Sequence, residues 1–391
     1  MVGSAAVADR TAATDGAPGA QLAGFTVGIT AARRADDFAA LLTRRGAEVV
    51  QAPAIRLIPL PDDVQLRQAT ARVISSPPDI VVATTAIGFR GWVEAADGWG
   101  QADELLGALR SARVAARGPK VTGAVRAAGL REDFSPESES SVELLEHLLG
   151  AGVSGCRIAV QLHGAATEWE PIVDVCSALR SAGAEVIEIP VYRWLPPEDP
   201  RAVDALLRTT IDGGLDALAF TSAPAVAAML GRADDNGLLE PYLAALRGQV
   251  LVACVGAVTA APLTRLGVET FQPSRARLGA LARELAEALP ARAVQVRAGG
   301  RELSIRRNCV VVDGAVREVT PAAMALLREL VRSPGRVVSR TDMLRALPGG
   351  SADTHAVDSA VARLRASLGD GQIVQTVFKR GYRLVTEQER R

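Results

Sequence analysis

Three pairs of segments recur in this chain at a nearly constant separation of 137 residues. The pairs are, in chain order, Arg44–Arg56 with Arg180–Arg193, Asp79–Phe89 with Asp216–Val226, and Ala116–Leu130 with Ala253–Val268. In the third pair Thr122 is placed on Thr259. One such match would be weak evidence. Three in almost one register predict a duplicated unit that makes up most of the first 290 residues.

Each copy of the unit alternates short apolar runs with amphipathic stretches. The apolar runs predict buried strands at Phe25–Thr30, Ile80–Thr84, Arg157–Leu162, Ala217–Thr221 and Val250–Gly256. Helices are predicted between them at Asp36–Arg45, Glu170–Ala182 and Ala276–Leu289, among others. Alternating strands and helices imply parallel sheets covered on both faces. The predicted fold class is therefore α/β, with two similar parallel-sheet domains.

The composition excludes several classes of protein. With 391 residues, 48% of them hydrophobic and 23% charged, the chain is expected to be globular with two or three domains. No apolar run reaches the ~18 residues of a membrane span, and residues 1–23 read as a flexible tail without a signal-peptide core. The four cysteines and three histidines are scattered. We therefore expect a cytoplasmic protein with reduced thiols, no metal site, no cofactor and no membrane partner.

Hydroxyls and glycines follow the predicted strands. They are Thr84, Thr85, Gly118, Thr122, Thr221, Ser222, Gly256 and Thr259. Ligands of parallel sheets bind at the carboxyl ends of strands, next to helix N-termini that favour carboxylate or phosphate. Simple helix capping would explain any one of these residues. Their repetition in register favours an anion-binding cleft between two similar domains.

The repeated pattern resembles uroporphyrinogen-III synthase over about Gly24–Pro290. In that family two α/β domains are joined by a two-stranded connector, and the Pro-rich stretches Arg56–Asp63 and Ile189–Asp199 stand where the chain would cross between domains. The resemblance implies a discontinuous first domain of residues 24–56 and 194–290. The second domain, residues 57–193, would be inserted into it.

The resemblance also implies an activity, the cyclisation of the linear tetrapyrrole hydroxymethylbilane with inversion of its last ring. Tyr192 matches a tyrosine that is usually suggested to assist loss of the hydroxyl, and its phenol could donate that hydrogen bond. An equal alternative is a connector aromatic that packs against a domain face. Thr84, Thr85, Thr221 and Ser222 match strand ends that hold substrate carboxylates in the family. The stretch TTAIGF lacks the asparagine often found there.

The end of the chain has a different character. Residues 299–391 contain 16 Lys and Arg against 10 Asp and Glu, a net charge of +6, which leaves −6 on residues 1–298. Alternating residues around Asp313-Gly314 predict a hairpin, and Thr320 and Pro321 predict the start of a helix. Further helices at about Arg340–Leu347 and Thr354–Leu368 and a hairpin around Lys379–Gly381 complete a winged helix. We assign residues 291–391 to this α+β module.

The third helix of the module is predicted to have an apolar and a polar face. At ~100° per residue, Val357, Val361, Leu364 and Leu368 face the core. The opposite face carries His355, Ser359, Ala362, Arg363 and Ala366, with Arg365 on a flank. The order of elements and the V-D…L-R…L-G-D and T-V…G-Y-R-L patterns resemble the OmpR/PhoB-type winged helix.

That resemblance implies roles for individual residues on double-stranded DNA. Arg363 takes a base- or phosphate-contacting role, Arg365 a backbone role, and Lys379 and Arg380 the wing. His355 and Ser359 would also face the DNA. Phe378 stands where the family often has a wing arginine. A homodimer on DNA is one arrangement compatible with this module.

Three functions are compatible with this organisation. The preferred one is a one-component transcriptional regulator whose cleft senses a carboxylate-rich small molecule, such as a linear or cyclic tetrapyrrole. Such a chain resembles actinobacterial fusions that regulate nitrate and nitrite assimilation. The alternative is an active uroporphyrinogen-III synthase with a DNA-binding tail. In a third hypothesis the synthase-like unit is only a dimerisation scaffold.

Overall fold

A computed structural model of the chain describes residues 20–137, 140–163, 169, 174–349 and 354–386. Up to residue 292 the elements are β1 Thr26–Ile29, α1 Ala35–Thr43, β2 Glu48–Gln51, β3 Arg56–Pro59, α2 Val64–Ser75, β4 Ile80–Ala83, α3 Ala86–Gly98, α4 Ala102–Arg110, β5 Arg113–Ala116, α5 Pro119–Ala127, α6 Ser141–Ala151, β6 Arg157–Gln161, α7 Val175–Ser181, β7 Glu185–Ile189, β8 Tyr192–Leu195, α8 Arg201–Ile211, β9 Ala217–Phe220, α9 Ala223–Asp235, α10 Leu239–Arg247, β10 Leu251–Cys254, α11 Ala257–Arg265 and α12 Leu278–Arg292. The start of the helix predicted at Glu170–Ala182 lies outside the described residues. None of the described helices has the length and apolar character that a membrane crossing requires.

The strands form two parallel sheets of identical topology. The first has the order β10-β9-β1-β2 and the second the order β5-β4-β6-β7, with every pairing parallel. Under the repeat β9 corresponds to β4, and β1 corresponds to β6. The predicted α/β fold class with two similar parallel-sheet domains is confirmed.

Both faces of each sheet are buried, which explains why the strands are apolar throughout. In β4, Ile80 and Val82 pack on one side with residues of α6 and α7 such as Leu144 and Leu179. Val81, on the opposite side, packs with aromatic residues of α3. Because successive side chains of a strand point to opposite faces, a sheet between two helical layers needs apolar residues at every position.

The two sheets are linked by the antiparallel pair β3–β8, in which Arg56 lies opposite Leu195 and Pro59 opposite Tyr192. The first sheet takes β1 and β2 from before this connector and β9 and β10 from after it. All elements of the second sheet lie between the two connector strands. The first sheet is therefore built from two separate stretches of the chain.

In the third pair of repeated segments, equivalent residues are separated by 138 positions and no longer by 137. The helices α3 and α9 start 137 residues apart, at Ala86 and Ala223. The glycines that precede α5 and α11, Gly118 and Gly256, are 138 apart and share nearly the same extended backbone. Thr122 therefore corresponds to Ala260. The predicted equivalence of Thr122 with Thr259 is wrong by one position.

The C-terminal module contains β11 Val294–Ala298, β12 Arg301–Ile305, β13 Cys309–Val312, β14 Ala315–Glu318, α13 Pro321–Val331, α14 Arg340–Ala346, α15 Thr354–Leu368, β15 Val374–Val377 and β16 Gly381–Leu384. Strands β11 to β14 form an antiparallel sheet, and β15 pairs with β16 as the wing. Thr320 caps α13 by accepting from Ala323 N, as predicted. Ala298 is fully buried in the core of the module, so β11 is an integral strand.

The module docks on the first domain through the turn between β12 and β13. The Arg306 guanidinium donates to the backbone oxygens of Gln21 and Ala23, at 3.0 and 2.8 Å. It also lies 4.9 Å from the centroid of the Phe25 ring. Leu22 is fully buried. The predicted flexible tail to residue 23 is therefore wrong for residues 21–23, which take part in this contact.

The docking contact lies at the amino-terminal edge of the first sheet. Asp216, just before β9, accepts from Thr26 N at 2.8 Å and from Arg307 Nε at 3.0 Å. Asn308 Nδ2 donates to a carboxylate oxygen of Glu48, the first residue of β2. Ligand sites of parallel sheets lie at the opposite, carboxyl edge. The C-terminal module and the predicted cleft thus occupy opposite edges of one sheet.

Candidate functional site

The hydroxyl pair that follows β4 is already bonded within its own domain. Thr84 Oγ1 donates to the backbone oxygen of Gln161 at 2.7 Å. The backbone N–H groups of Thr84 and Thr85 both donate to Gln161 Oε1, at 3.1 and 2.9 Å. Because one amide oxygen accepts both strand-end N–H groups, a ligand carboxylate would have to displace the Gln161 side chain to reach them.

Gln161 is a site residue that the sequence analysis missed. It is the last residue of β6 and is fully buried. Its amide nitrogen donates to Leu162 O, which orients the amide oxygen toward the strand end of β4. A Cβ on Gly88 would come within 2.1 Å of that nitrogen, so a larger residue there would force the Gln161 amide to move. The signal in the sequence was a polar residue at the end of an otherwise apolar run.

Thr85 connects this network to Tyr192. Thr85 Oγ1 accepts from Gly88 N at 3.1 Å, which caps α3, and lies 3.0 Å from the Tyr192 hydroxyl. Tyr192 is only 3% exposed, and its ring packs edge-on against Trp194 at 5.8 Å. The phenol thus lies beside a helix N-terminus but inside the second domain. Its packing role is visible in the structure, and its catalytic role stays a prediction.

The equivalent strand end of the first domain is arranged differently. Thr221 and Ser222 are half-buried, and Ser222 makes no side-chain cap bond to α9 within the described structure. The position equivalent to Gln161 is occupied by Thr30, whose hydroxyl donates to Ala219 O at 3.2 Å. A threonine is too short to reach the strand-end N–H groups as the glutamine does. The two domains therefore do not present similar donor sets, contrary to the expectation from the repeat.

The two glycine–threonine sites also differ from the prediction. Gly118 and Gly256 directly precede α5 and α11 and lie at the carboxyl edges of β5 and β10. Thr259 is 5% exposed and its neighbour Ala260 belongs to the core. Thr122 is half-buried, and its hydroxyl oxygen is enclosed without a partner in the described part of the chain. Gly118 is buried and Gly256 is half-buried, and the threonines point largely into the protein, so ligand contact at these sites stays a prediction.

Several cationic residues lie at the same sheet edges and were not predicted. In the first domain Arg33 follows β1, while Arg275 and Arg277 follow Phe271, which bridges to β10 in parallel. These three arginines are exposed. In the second domain burial lowers the pKa of His163 to about 4, with a smaller contribution from the charge of Arg117, which follows β5. Arg117 directly follows β5, whereas Arg33, Arg275 and Arg277 lie on the loops that follow β1 and the Phe271 bridge; position after a strand was the available signal.

The third helix of the C-terminal module, α15, presents the predicted faces. Val357, Val361, Leu364 and Leu368 are buried. His355, Ser359, Ala362, Arg363 and Ala366 are exposed. The small residues around Arg363 leave its guanidinium standing above a flat helix surface. Such a surface fits the major groove of DNA, where an arginine can bond a guanine edge.

Arg365 is bonded inside the module. Its guanidinium donates to Val374 O at 2.9 Å and to Thr376 Oγ1 at 2.8 Å, and it lies 5.9 Å from the Tyr382 ring. The Tyr382 hydroxyl in turn donates to Asp358 on α15, which lowers the pKa of that carboxyl. Arg365 therefore holds the wing against α15, a role that the sequence analysis did not assign to it.

The predicted wing residues lie at the apex of the β15–β16 hairpin. Lys379 and Arg380 are exposed, and Lys379 has a left-handed backbone with φ of 57°. Phe378 beside them is 81% exposed. The structure thus brings the wing cations together on one turn, fixed to the helix that carries Arg363.

Comparison with known proteins identifies the first unit. The family model described as uroporphyrinogen-III synthase matches residues 36–283, well over half of the chain. The chain belongs to the uroporphyrinogen-III synthase family. A crystal structure of a mutant uroporphyrinogen III synthase from the extremely thermophilic bacterium Thermus thermophilus is 29% identical with a TM-score of 0.57, and the match covers 68% of this chain and 98% of that one. An uncharacterised Bacillus subtilis protein is 29% identical over 270 residues, which are 69% of this chain and 97% of its own length.

The second unit has relatives among transcription regulators. The family model for the C-terminal part of transcriptional regulatory proteins matches residues 314–384. The response regulator protein PmrA of Pseudomonas aeruginosa is 35% identical over 111 residues, 28% of this chain and 48% of that protein. The chain is therefore a fusion of a uroporphyrinogen-III synthase-like unit and a response-regulator-type DNA-binding domain. Both resemblances seen in the sequence are confirmed.

Within the synthase-like unit the predicted residues fall into two groups. Thr84, Thr85 and Tyr192 form one hydrogen-bonded network with Gln161 in the second domain. Ser222 and Gly256 belong to the first domain, where Thr30 takes the place of Gln161 and exposed arginines lie on the loops beyond the strands. The two halves of the synthase-like cleft are thus chemically distinct.

Proposed function

We propose that the chain is a DNA-binding transcriptional regulator whose synthase-like unit binds a carboxylate-rich small molecule such as a linear or cyclic tetrapyrrole. The observation that carries this proposal is the enclosure of the candidate catalytic group. Tyr192 is 3% exposed and its hydroxyl is 3.0 Å from Thr85 Oγ1. A general acid must come within hydrogen-bond reach of the departing group. An enclosed phenol favours binding of a ligand over its turnover.

The first domain supplies the anion-binding groups of this proposal. The start of α9, with the Ser222 hydroxyl, carries unsatisfied helix N–H dipoles that stabilise an anion by about 0.3–1 kcal/mol. Arg33, Arg275 and Arg277 add three positive charges on loops at the same edge. Arginine bonds carboxylates through two parallel N–H groups. A ligand with several carboxylates would therefore be held mainly by the first domain.

The second candidate function is an active uroporphyrinogen-III synthase, and one observation favours it. The Tyr192 phenol lies beside the N-terminus of α3, next to the strand ends where the family binds its substrate. A rotation of Gln161 would release both the strand-end N–H groups and Thr85. After this rearrangement the strand-end N–H groups and the Thr85 hydroxyl could donate hydrogen bonds to the carboxylates of the substrate.

One experiment separates the two candidates. The full chain is incubated with freshly prepared hydroxymethylbilane, and the type-III product is measured against the spontaneous type-I product. We expect calorimetry to show tight binding of hydroxymethylbilane. We also expect the type-III fraction of the product to be close to that of the uncatalysed control. A large type-III excess that Tyr192→Phe reduces would establish the synthase activity. No binding heat with hydroxymethylbilane or uroporphyrinogen would contradict the sensor.

Double-stranded DNA is the proposed partner of the C-terminal module. The net charge of +6 on residues 299–391 and the exposed Arg363, Lys379 and Arg380 support this. Removing one cation that binds a phosphate should reduce the slope of log affinity against log salt by about one. We also propose that two copies of the chain bind half-sites one helical turn apart, about 10–10.5 base pairs. The proposed regulator acts in nitrogen assimilation. A chain that ends at Arg292 should lose DNA binding entirely.

A further inference from the structure

The apex of the wing carries the most exposed large apolar side chain in the described part of the protein. Phe378 is 81% exposed, and the next most exposed, Val64, is 67% exposed. Other phenylalanines, such as Phe38, Phe89 and Phe220, are fully buried in the domain cores. An exposed phenyl ring is a large apolar surface in water, so its position calls for a binding partner.

The charges around this ring indicate the chemistry of the partner. The Lys379 ammonium lies 5.3 Å from the Phe378 ring centroid, and Arg380 follows on the same turn. The turn is closed by Arg380 N, which donates to Val377 O at 3.0 Å. An exposed aromatic ring followed by two cations on the same turn fits a surface in which phosphates border an apolar interior. Duplex DNA has that arrangement across its minor groove.

The base of the wing is fixed to the rest of the module on both of its strands. Arg365 ties β15 to α15 through Val374 O and Thr376 Oγ1. On the other strand Gly381, with φ of +137°, lies so close to the Val338 carbonyl that a Cβ would come within 2.0 Å of it. Both strands of the hairpin are thereby held below the apex. The apex projects from a rigid support.

We propose that Phe378 enters the minor groove and determines DNA specificity there, while Lys379 and Arg380 contact the phosphates on its rim. This inference rests on the proposed DNA-binding function. When α15 occupies the major groove, a hairpin fixed to its side crosses the sugar–phosphate backbone toward the neighbouring minor groove. An apolar wedge such as phenylalanine acts there by partly unstacking a base step.

The proposal predicts which sequences the wing prefers. Pyrimidine–purine steps such as TA unstack easily, whereas A-tracts are stiff and have a narrow minor groove that attracts arginine. A wing with phenylalanine should therefore favour a TA step at a fixed distance from the α15 contact. A wing with arginine in the same place should favour an A-tract.

The test uses the full chain and a duplex selected from random DNA, with the wing contact located by hydroxyl-radical footprinting. Affinities are measured by fluorescence anisotropy for duplexes that carry TA or AA at that step. We expect the wild type to prefer TA by about fivefold or more, the lower end of what one altered base pair costs. Phe378→Ala should lose this preference with an unchanged salt slope, and Phe378→Leu should keep most of it. Phe378→Arg should reverse it.

Controls separate the possible failures. Val316→Ala, which removes an exposed apolar residue from β14 of the same module, should keep the TA preference. Thermal unfolding measured for each variant shows whether the fold is retained. A Phe378→Ala protein that is folded and still prefers TA overturns the wedge, as does wild-type binding without step preference. Absence of any DNA binding by the wild type overturns the DNA-binding function itself.

Discussion

Replacing Arg306 by alanine should release the DNA-binding module from the first domain. Its guanidinium donates two hydrogen bonds across the contact, to Gln21 O and Ala23 O, and stacks on Phe25. The arginine is 9% exposed. The only residue between α12 and β11 is Ala293, so the docked module has very little linker in which to move. The contact therefore fixes the orientation of the whole winged helix.

The size of the effect follows from these contacts. Each hydrogen bond to a charged group contributes ~1.5–3 kcal/mol, and the cation–π contact about 1 kcal/mol. Burial of the guanidinium offsets part of this. It lowers the pKa of Arg306, and the Nε atom has no partner among the described residues. We expect a net loss of about 2–4 kcal/mol, which is ~30-fold to several hundred-fold in the docking equilibrium.

Hydrogen exchange of one backbone amide measures this loss directly. Asn308 N donates across the contact to Gly24 O at 3.2 Å, so its exchange rate reports how often the module undocks. Arg306→Ala should accelerate that exchange by the factor above. The matched control is Arg301→Ala, which removes an exposed ion pair with Asp313 in the same module and should change the rate less than about fivefold. An unchanged Asn308 rate in Arg306→Ala would refute the docking account.

Three further predictions concern the two sites and pH. The double variant Thr85→Val/Ser222→Ala should bind a tetrapyrrole ligand about tenfold or more weakly by calorimetry, because it removes one hydroxyl from each half of the cleft. Equal affinities would exclude these hydroxyls from the site. Arg363→Ala should lose ~1–3 kcal/mol of discrimination between its selected site and random DNA in anisotropy titrations, with no change in melting temperature, since its side chain is exposed; a uniform loss on all sequences would indicate a phosphate contact. The His163 pKa of about 4 in the folded protein lies below the ordinary value near 6.5. As pH falls, the unfolded chain therefore binds a proton before the folded one does. The free energy of unfolding should decrease by up to ~1.4 kcal/mol per pH unit between pH 6.5 and 4. In His163→Gln the denaturation midpoint should change less with pH over that range. A wild-type midpoint that does not change with pH there would contradict this.

The sheets could be predicted from the sequence because their signal is local and repeated. Apolar runs such as Ile80–Ala83 and Ala217–Phe220 are buried on both faces, and only parallel strands between helices require that pattern. The faces of α15 were predictable for the same reason, since Val357 and Leu364 follow the helical period.

The chemistry of the cleft could not be predicted in the same way. The state of Thr84 depends on Gln161, a residue 77 positions away on a neighbouring strand. The equivalent neighbour in the first domain is Thr30, and a comparison of the repeated segments does not include either residue. Similar strand ends therefore carried different hydrogen bonds, and the expectation of matched donor sets was wrong.

The docking contact was missed because its residues have an ordinary sequence pattern. Arg306 and Arg307 belong to the stretch that was predicted as a hairpin around Asp313-Gly314, and Gly24 was predicted as the first residue of the first domain. The structure shows that Gly24 has φ of +79° and that a Cβ there would come within 2.3 Å of Cys309 Sγ. Only the three-dimensional packing of distant segments reveals why a glycine is needed. The role of Arg365 was missed for the same reason, because its hydrogen-bond partners Val374 and Thr376 belong to the wing.

The central claim is that a ligand in the cleft changes how the chain binds DNA. The most direct measurement is the affinity of the full chain for its selected duplex, by anisotropy at fixed salt, with and without saturating uroporphyrinogen. A ligand that closes the second domain on the first binds the closed conformation more tightly than the open one. Coupling of this kind typically changes the affinity for a second ligand, here DNA, by about 5–150-fold. We predict a change of at least about fivefold in Kd, which disappears in Thr85→Val/Ser222→Ala. An identical Kd with ligand demonstrably bound would contradict the claim.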